Sequence, residues 1–131
     1  MAPTATELAR IPLFGSLGEA ELDELAPSFE SQSAAAGTRL VGEGAAGYSF
    51  FALADGEASV TVDGAEVATL GPGDCFGEMA ILGDGRRTAT VTTTTPTTLY
   101  VMFGTEFRRL QQSQPEIAAQ LESLMHSRLD A

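Results

Sequence analysis

The sequence predicts a mainly β chain with flanking helices: an antiparallel, jelly-roll-like β-roll of about eight strands, preceded by a helix and followed by a helix pair. Three observations carry that expectation. Between about residues 34 and 102, short β-favouring runs alternate with glycine. Within that stretch stand two Asx-Gly pairs, Asp55-Gly56 and Asp63-Gly64, and such pairs are the strongest short-range hairpin signal. At both ends of the chain, apolar residues recur at helical spacing instead.

The elements follow in order. Residues before Ile11 read as a short frayed start. Ser16-Leu17-Gly18-Glu19 fits a capping box, in which Ser16 and Glu19 would satisfy free backbone N–H groups reciprocally; Glu19 as a plain solvated acid is the alternative. The helix beyond it places Leu22, Leu25 and Phe29 on one stripe. Strand-like runs come next: Arg39 to Val41, Tyr48 to Leu53, Ala58 to Val62 and Val67 to Leu70. After Gly71-Pro72-Gly73-Asp74, two more runs, Arg87 to Thr94 and Thr98 to Met102, are separated by Pro96. The threonines Thr92 to Thr95 read as strand and turn, because β-branched residues suit a pleated surface. Strands this short bury too little singly and must wrap on one another. Helix returns at Thr105 to Gln112, with Phe107 and Leu110 on one side. Pro115 then suits a first helical position, and Ile117, Leu121, Leu124, Met125 and Leu129 form a stripe beyond it. The expected organisation is one domain over 1–131: a helical part at about 5–30, the roll at about 34–102, and helices at about 105–130. There is no internal repeat and no linker.

Composition narrows the function. A chain of 131 residues, 44% hydrophobic and 19% charged, is a globular domain with one core. Eighteen acidic residues against seven basic ones give a net charge of −11, which disfavours nucleic acid as a partner. An anionic small ligand stays open, since salt screens surface charge beyond about 8 Å. No apolar run approaches a membrane span, so no membrane insertion is expected. Met1 to Ala9 lacks the basic start and apolar core of an export signal, and Cys75 is the single cysteine; both fit the cytoplasm. One histidine and one cysteine cannot furnish clustered ligands, so no metal site is expected. His126 lies off the apolar stripe and reads as solvated.

The chemistry is concentrated between Gly73 and Val91. Here the sequence reads as a strand, a glycine, a short helical turn over Gly77 to Ala80, a glycine-flanked loop, and a strand opening with arginine. Free N–H groups at a helix start attract anions, and an arginine fork meets phosphate oxygens. By themselves these residues also suit a surface turn carrying a salt bridge. Their order and spacing are more specific. Phe76-Gly77-Glu78-Met79-Ala80 and Arg87-Thr88-Ala89-Thr90-Val91, with nine positions from Glu78 to Arg87, resemble the phosphate-binding cassette of cyclic nucleotide-binding domains. Gly42-Glu43-Gly44, Tyr48, Phe50-Phe51, Gly56-Glu57 and Gly73-Asp74 resemble the pattern that family carries before its cassette. The resemblance runs from about Phe14 to the last helix.

The resemblance implies a ligand, cyclic AMP or cyclic GMP, and no further cofactor. Arg87 would bind an exocyclic phosphate oxygen, and Glu78 would accept a hydrogen bond from the ribose 2′-hydroxyl. Gly77, Met79, Ala80 and Thr88 would complete the cradle. Leu121, Leu124 and Met125 are candidates to cover the base, and equally suit plain core packing. Arg86 departs from the family, where proline often precedes the cassette arginine, and reads as an exposed loop residue. The expected function is a stand-alone, non-enzymatic sensor that signals through a separate protein effector or a homodimer. Intact Glu78 and Arg87 argue against a module that keeps the fold without the ligand. No nucleophile–base pair suggests catalysis. Cyclic AMP is preferred weakly over cyclic GMP, since no guanine-reading group beyond Thr88 can be assigned.

Overall fold

The structure, a computed structural model, describes residues 1–42, 49–78 and 89–130, with 127–130 described by backbone only. Two four-stranded antiparallel sheets form the centre, and helices cover one of them, in agreement with the predicted fold class. The strands are β1 (Glu30–Ala34), β2 (Arg39–Val41), β3 (Ser49–Asp55), β4 (Ala58–Val62), β5 (Ala65–Leu70), β6 (Cys75–Phe76), β7 (Thr90–Thr93) and β8 (Thr97–Phe103). The first sheet runs β1-β8-β3-β6, the second β2-β7-β4-β5. Among the described residues, four α-helices flank them: α1 (Ala5–Ala9), α2 (Glu19–Leu25), α3 (Gly104–Ser113) and α4 (Pro115–Asp130).

The N-terminus is ordered where a frayed start was expected. Thr4 caps α1 through a reciprocal pair: Glu7 N–H donates to Thr4 Oγ1 at 3.1 Å, and Thr4 N–H donates to Glu7 Oε1 at 2.9 Å. Ahead of it, Ser31 N–H donates to the Met1 carbonyl at 2.7 Å, tying the chain start to β1. The cap expected from Ser16 and Glu19 is displaced by two residues. Gly18 is the N-cap of α2, and its N–H donates to Glu21 Oε1 at 2.8 Å. Glycine has no side chain to return the bond, so this is half a box.

Strands β3 and β8 explain how the layers are joined. Antiparallel sheets commonly bury one face and read as an alternation. These two strands are buried almost throughout, because the first sheet is covered on both faces. Phe50, Ala52, Tyr100 and Met102 pack into a core with residues of α1, α2, α3 and α4. Phe51, Leu53, Leu99 and Val101 point the other way, forming the core between the sheets with Leu40, Val41, Leu70 and Phe76. On the helical side, Phe14, Phe29 and Phe50 form an edge-to-face chain with centroids 5.6 and 6.4 Å apart.

One predicted hairpin is instead a corner. Asp63 and Gly64 have φ of 53° and 81° and join the paired strands β4 and β5, as an Asx-Gly hairpin turn should. Asp55-Gly56, by contrast, carries the chain from β3 in the first sheet to β4 in the second. The same local dipeptide serves both connections, since each needs a positive φ at glycine. The threonine run is strand and turn, as predicted. Buried Thr93 accepts the Thr38 N–H and donates to the Ala35 carbonyl, at 2.8 and 2.7 Å. Thr95 accepts the Glu57 N–H at 2.9 Å. These bonds hold the loops at one end of the roll together.

Candidate functional site

The first half of the cassette is carried by the shortest strand. Strand β6 pairs with β3 through only two residues, Phe51 opposite Phe76 and Ala52 opposite Cys75. The turn ahead of it supplies further support. Leu53 N–H donates to the Asp74 carbonyl at 2.8 Å, and Gly73 N–H donates to the Leu53 carbonyl at 2.7 Å. The Asp74 carboxylate accepts the Gly71 N–H at 2.8 Å, closing the turn on itself. Gly73 has a φ of 94°, and a Cβ there would stand 3.0 Å from Pro12 Cδ. Glycine at this position therefore lets the turn lie against the segment leading to α2.

Beyond the turn, side-chain packing takes over from backbone pairing. The Phe76 ring stacks on Phe51 at 4.8 Å and 10°, on the inter-sheet side of β3. Gly77 follows with a φ of 85°, a left-handed conformation that an L side chain adopts only with strain. It turns the chain directly into Glu78, whose side chain is 9% exposed. A carboxylate withdrawn from water this far needs hydrogen-bond donors or charge partners to offset its desolvation. The structure thus brings Gly77 and Glu78 together at the end of β6, next to the aromatic stack.

Met79, Ala80, Arg86, Arg87 and Thr88 lie outside the described residues, as do Glu43, Gly44 and Tyr48 of the upstream pattern. The chain is described again from residue 89 and enters β7 at Thr90, in the second sheet between β2 and β4. The cassette segment consequently runs from one sheet to the other. Val91 on β7 is buried, opposite Val41 and Val60.

Two of the three base-cover candidates are core residues of the helical layer. Leu121 and Met125 are 1% and 0% exposed, packed with Phe14, Leu25 and Met102. That cluster lies on the opposite face of the first sheet from Phe51 and Phe76. Leu124 is half-buried. His126 is exposed, as expected. The Phe51–Phe76 stack was not foreseen; the alternation of Phe50 and Phe51 signals opposite faces but not the partner.

Comparison with known proteins extends this geometry. The family model for the cyclic nucleotide-binding domain matches residues 31–114, well over half of the chain. A cAMP-dependent protein kinase regulatory subunit from Yarrowia lipolytica is 41% identical over 105 residues, 79% of this chain and 28% of that protein. A cyclic nucleotide-gated potassium channel from Rhizobium etli is 34% identical over 111 residues, 85% of this chain and 31% of that protein. The chain thus spans less than a third of the length of either relative. Among solved structures, the N-terminal domain of a transcriptional regulator from Streptomyces coelicolor superposes with a TM-score of 0.78 at 29% identity, covering 95% of this chain and 90% of that one. A cAMP-bound structure described as PfPKA-R gives a TM-score of 0.81 at 26% identity, covering 96% and 42%. Among the described residues, no helix is long and apolar enough to cross a membrane.

Proposed function

Because the chain belongs to the cyclic nucleotide-binding domain family, we propose that it holds a cyclic nucleotide, cyclic AMP in preference to cyclic GMP, and signals by conformational change without catalysis. The observation that carries this reading is the corner at the end of β6, where left-handed Gly77 leads into buried Glu78. A ribose 2′-hydroxyl would donate to that carboxylate, offsetting part of the cost of burying it. By the family resemblance Arg87 would supply the charge that a monoanionic cyclic phosphate requires, and Gly77, Met79, Ala80 and Thr88 would complete its cradle. Such a ligand needs donors and one cation, not a nucleophile.

Signal transfer follows from connectivity. Ligand contacts made along a segment that joins the two sheets would alter how the sheets and the helical layer are held, and a ligand shifts populations only as far as it prefers one state. Leu124 is the favoured base cover, since it has surface to spare while Leu121 and Met125 do not. The output passes to a separate protein effector in the cytoplasm; the kinase regulatory subunits among the relatives support a protein partner.

The test is isothermal titration of the intact chain with cyclic AMP, cyclic GMP and 2′-deoxy cyclic AMP. Arg87→Ala should weaken cyclic AMP binding by about 1.5–3 kcal/mol, the scale of charged hydrogen bonds. Glu78→Ala should narrow the gap between the ribo and deoxy ligands. Absence of heat with all three nucleotides rejects the reading; unchanged affinity in Arg87→Ala removes that residue from its role.

A further inference from the structure

We propose a second binding site, for a small monocarboxylate with an apolar body, in the cavity between α1 and the turn that precedes β6. The cavity holds about 290 Å³ and is bounded by Glu7, Arg10, Ile11, Pro12, Gly73 and Tyr100. It lies on the helical side of the first sheet, the side away from the Phe51–Phe76 stack, and shares no lining residue with the Gly77–Glu78 corner.

Two donors in this cavity have no acceptor among the side chains and backbone of the described residues. Tyr100 is 6% exposed and lines the cavity, yet its hydroxyl makes no hydrogen bond among the described residues. No fully buried side-chain polar atom among the described residues lacks a partner, so the unbonded Tyr100 hydroxyl opens into the cavity, where it can donate to an acceptor that enters. Burial, reinforced by the nearby negative charge of Glu7 and opposed by Arg10, raises the Tyr100 pKa, so the group is held protonated as a donor. Arg10 is the second donor. Glu7 stands one helical turn before it and would be the natural ion-pair partner. Its carboxylate is instead turned back to the Thr4 N–H at 2.9 Å. Among the described residues, no carboxylate lies within ion-pairing distance of Arg10.

The chemistry of the ligand follows. A guanidinium fork and a phenol O–H both require acceptors, and a carboxylate presents two oxygens in the plane the fork prefers. Glu7, close by, penalises a second negative charge, which favours a monoanion over a phosphate dianion. Ile11, Pro12, Ala54 and Pro72 provide apolar wall for a short hydrocarbon body. The volume sits at the small end of ligand pockets, about 300–1,000 Å³.

The test is an NMR titration of ¹⁵N-labelled intact chain with sodium butyrate at constant ionic strength, with butyramide as the uncharged counterpart. The expected result is saturable shifts of the Arg10, Ala54 and Gly73 amides with butyrate, and at least fivefold weaker binding of butyramide. Arg10→Gln and Tyr100→Phe should each weaken butyrate binding at least fivefold. The first changes an exposed residue and the second keeps the ring in the core, so the fold survives either substitution. Shifts that fail to saturate, an equal response to butyramide, or wild-type affinity in both variants would overturn the site. Because no nucleotide is present, the outcome is independent of the nucleotide reading.

Discussion

Tyr100 shows how one side chain reports on its surroundings. It projects from β8 into the helical layer, where burial is the main cause of its raised pKa and Glu7 adds to it. A phenol whose pKa is higher folded than unfolded keeps its proton better in the native state. Its contribution to stability is then fully present below the unfolded value of about 10 and is lost as pH rises through the folded value. Urea unfolding followed by circular dichroism should therefore show stability falling above pH 10, with a shallower decline in Tyr100→Phe. Equal slopes in the two proteins would refute this assignment. Residues of this kind are the least legible in the sequence. Gly77 and Glu78 were found because they adjoin each other in a specific motif. Tyr100 and Arg10 meet only because α1 lies against the first sheet, and Phe51 meets Phe76 only because β6 pairs with β3.

Elements were read more successfully than their partners. Glycine punctuation and β-branched runs located every strand but β1, and apolar spacing located α2, α3 and α4 but not α1. Pairing is a different matter, since turn chemistry is local while sheet membership is not. Asp55-Gly56 and Asp63-Gly64 look alike, yet one crosses between sheets and the other closes a hairpin. The two glycines consequently differ in what a methyl group would cost. Both have positive φ, so alanine at either is strained by about 1–2 kcal/mol. At Gly64 a Cβ meets nothing within 4 Å, but at Gly56 it would stand 2.6 Å from the Pro96 carbonyl oxygen and 2.9 Å from Thr97 Cα. Backbone must move to relieve that. Gly56→Ala should therefore lose about 1–3 kcal/mol more than Gly64→Ala in chemical denaturation. Equal losses would mean that the corner yields without cost.

At the scale of the whole molecule, the first sheet is a wall shared by two cores. One core joins it to the helices, the other to the second sheet that the cassette segment reaches. Residues from both ends of the chain meet on the helical side: Leu8, Ile11 and Phe14 pack in the same cluster as Ile117, Leu121 and Met125. Sequence periodicity showed that α4 has an apolar stripe, but a stripe suits a base cover and a core seam alike. Burial separates the two uses. Leu121, 1% exposed and surrounded by side chains from several elements, should cost about 2–5 kcal/mol when cut to alanine, the range for leucine in a packed core. Its removal should leave nucleotide affinity of the folded protein within about twofold, a change under 0.5 kcal/mol. Half-buried Leu124 should behave in the opposite way, with a smaller loss of stability and a measurable loss of affinity. Parallel denaturation and titration of Leu121→Ala and Leu124→Ala decide the matter. Should Leu121→Ala bind poorly while melting like the parent, the helix must leave its seat on the first sheet when the ligand arrives, and the buried stripe must serve both uses in turn.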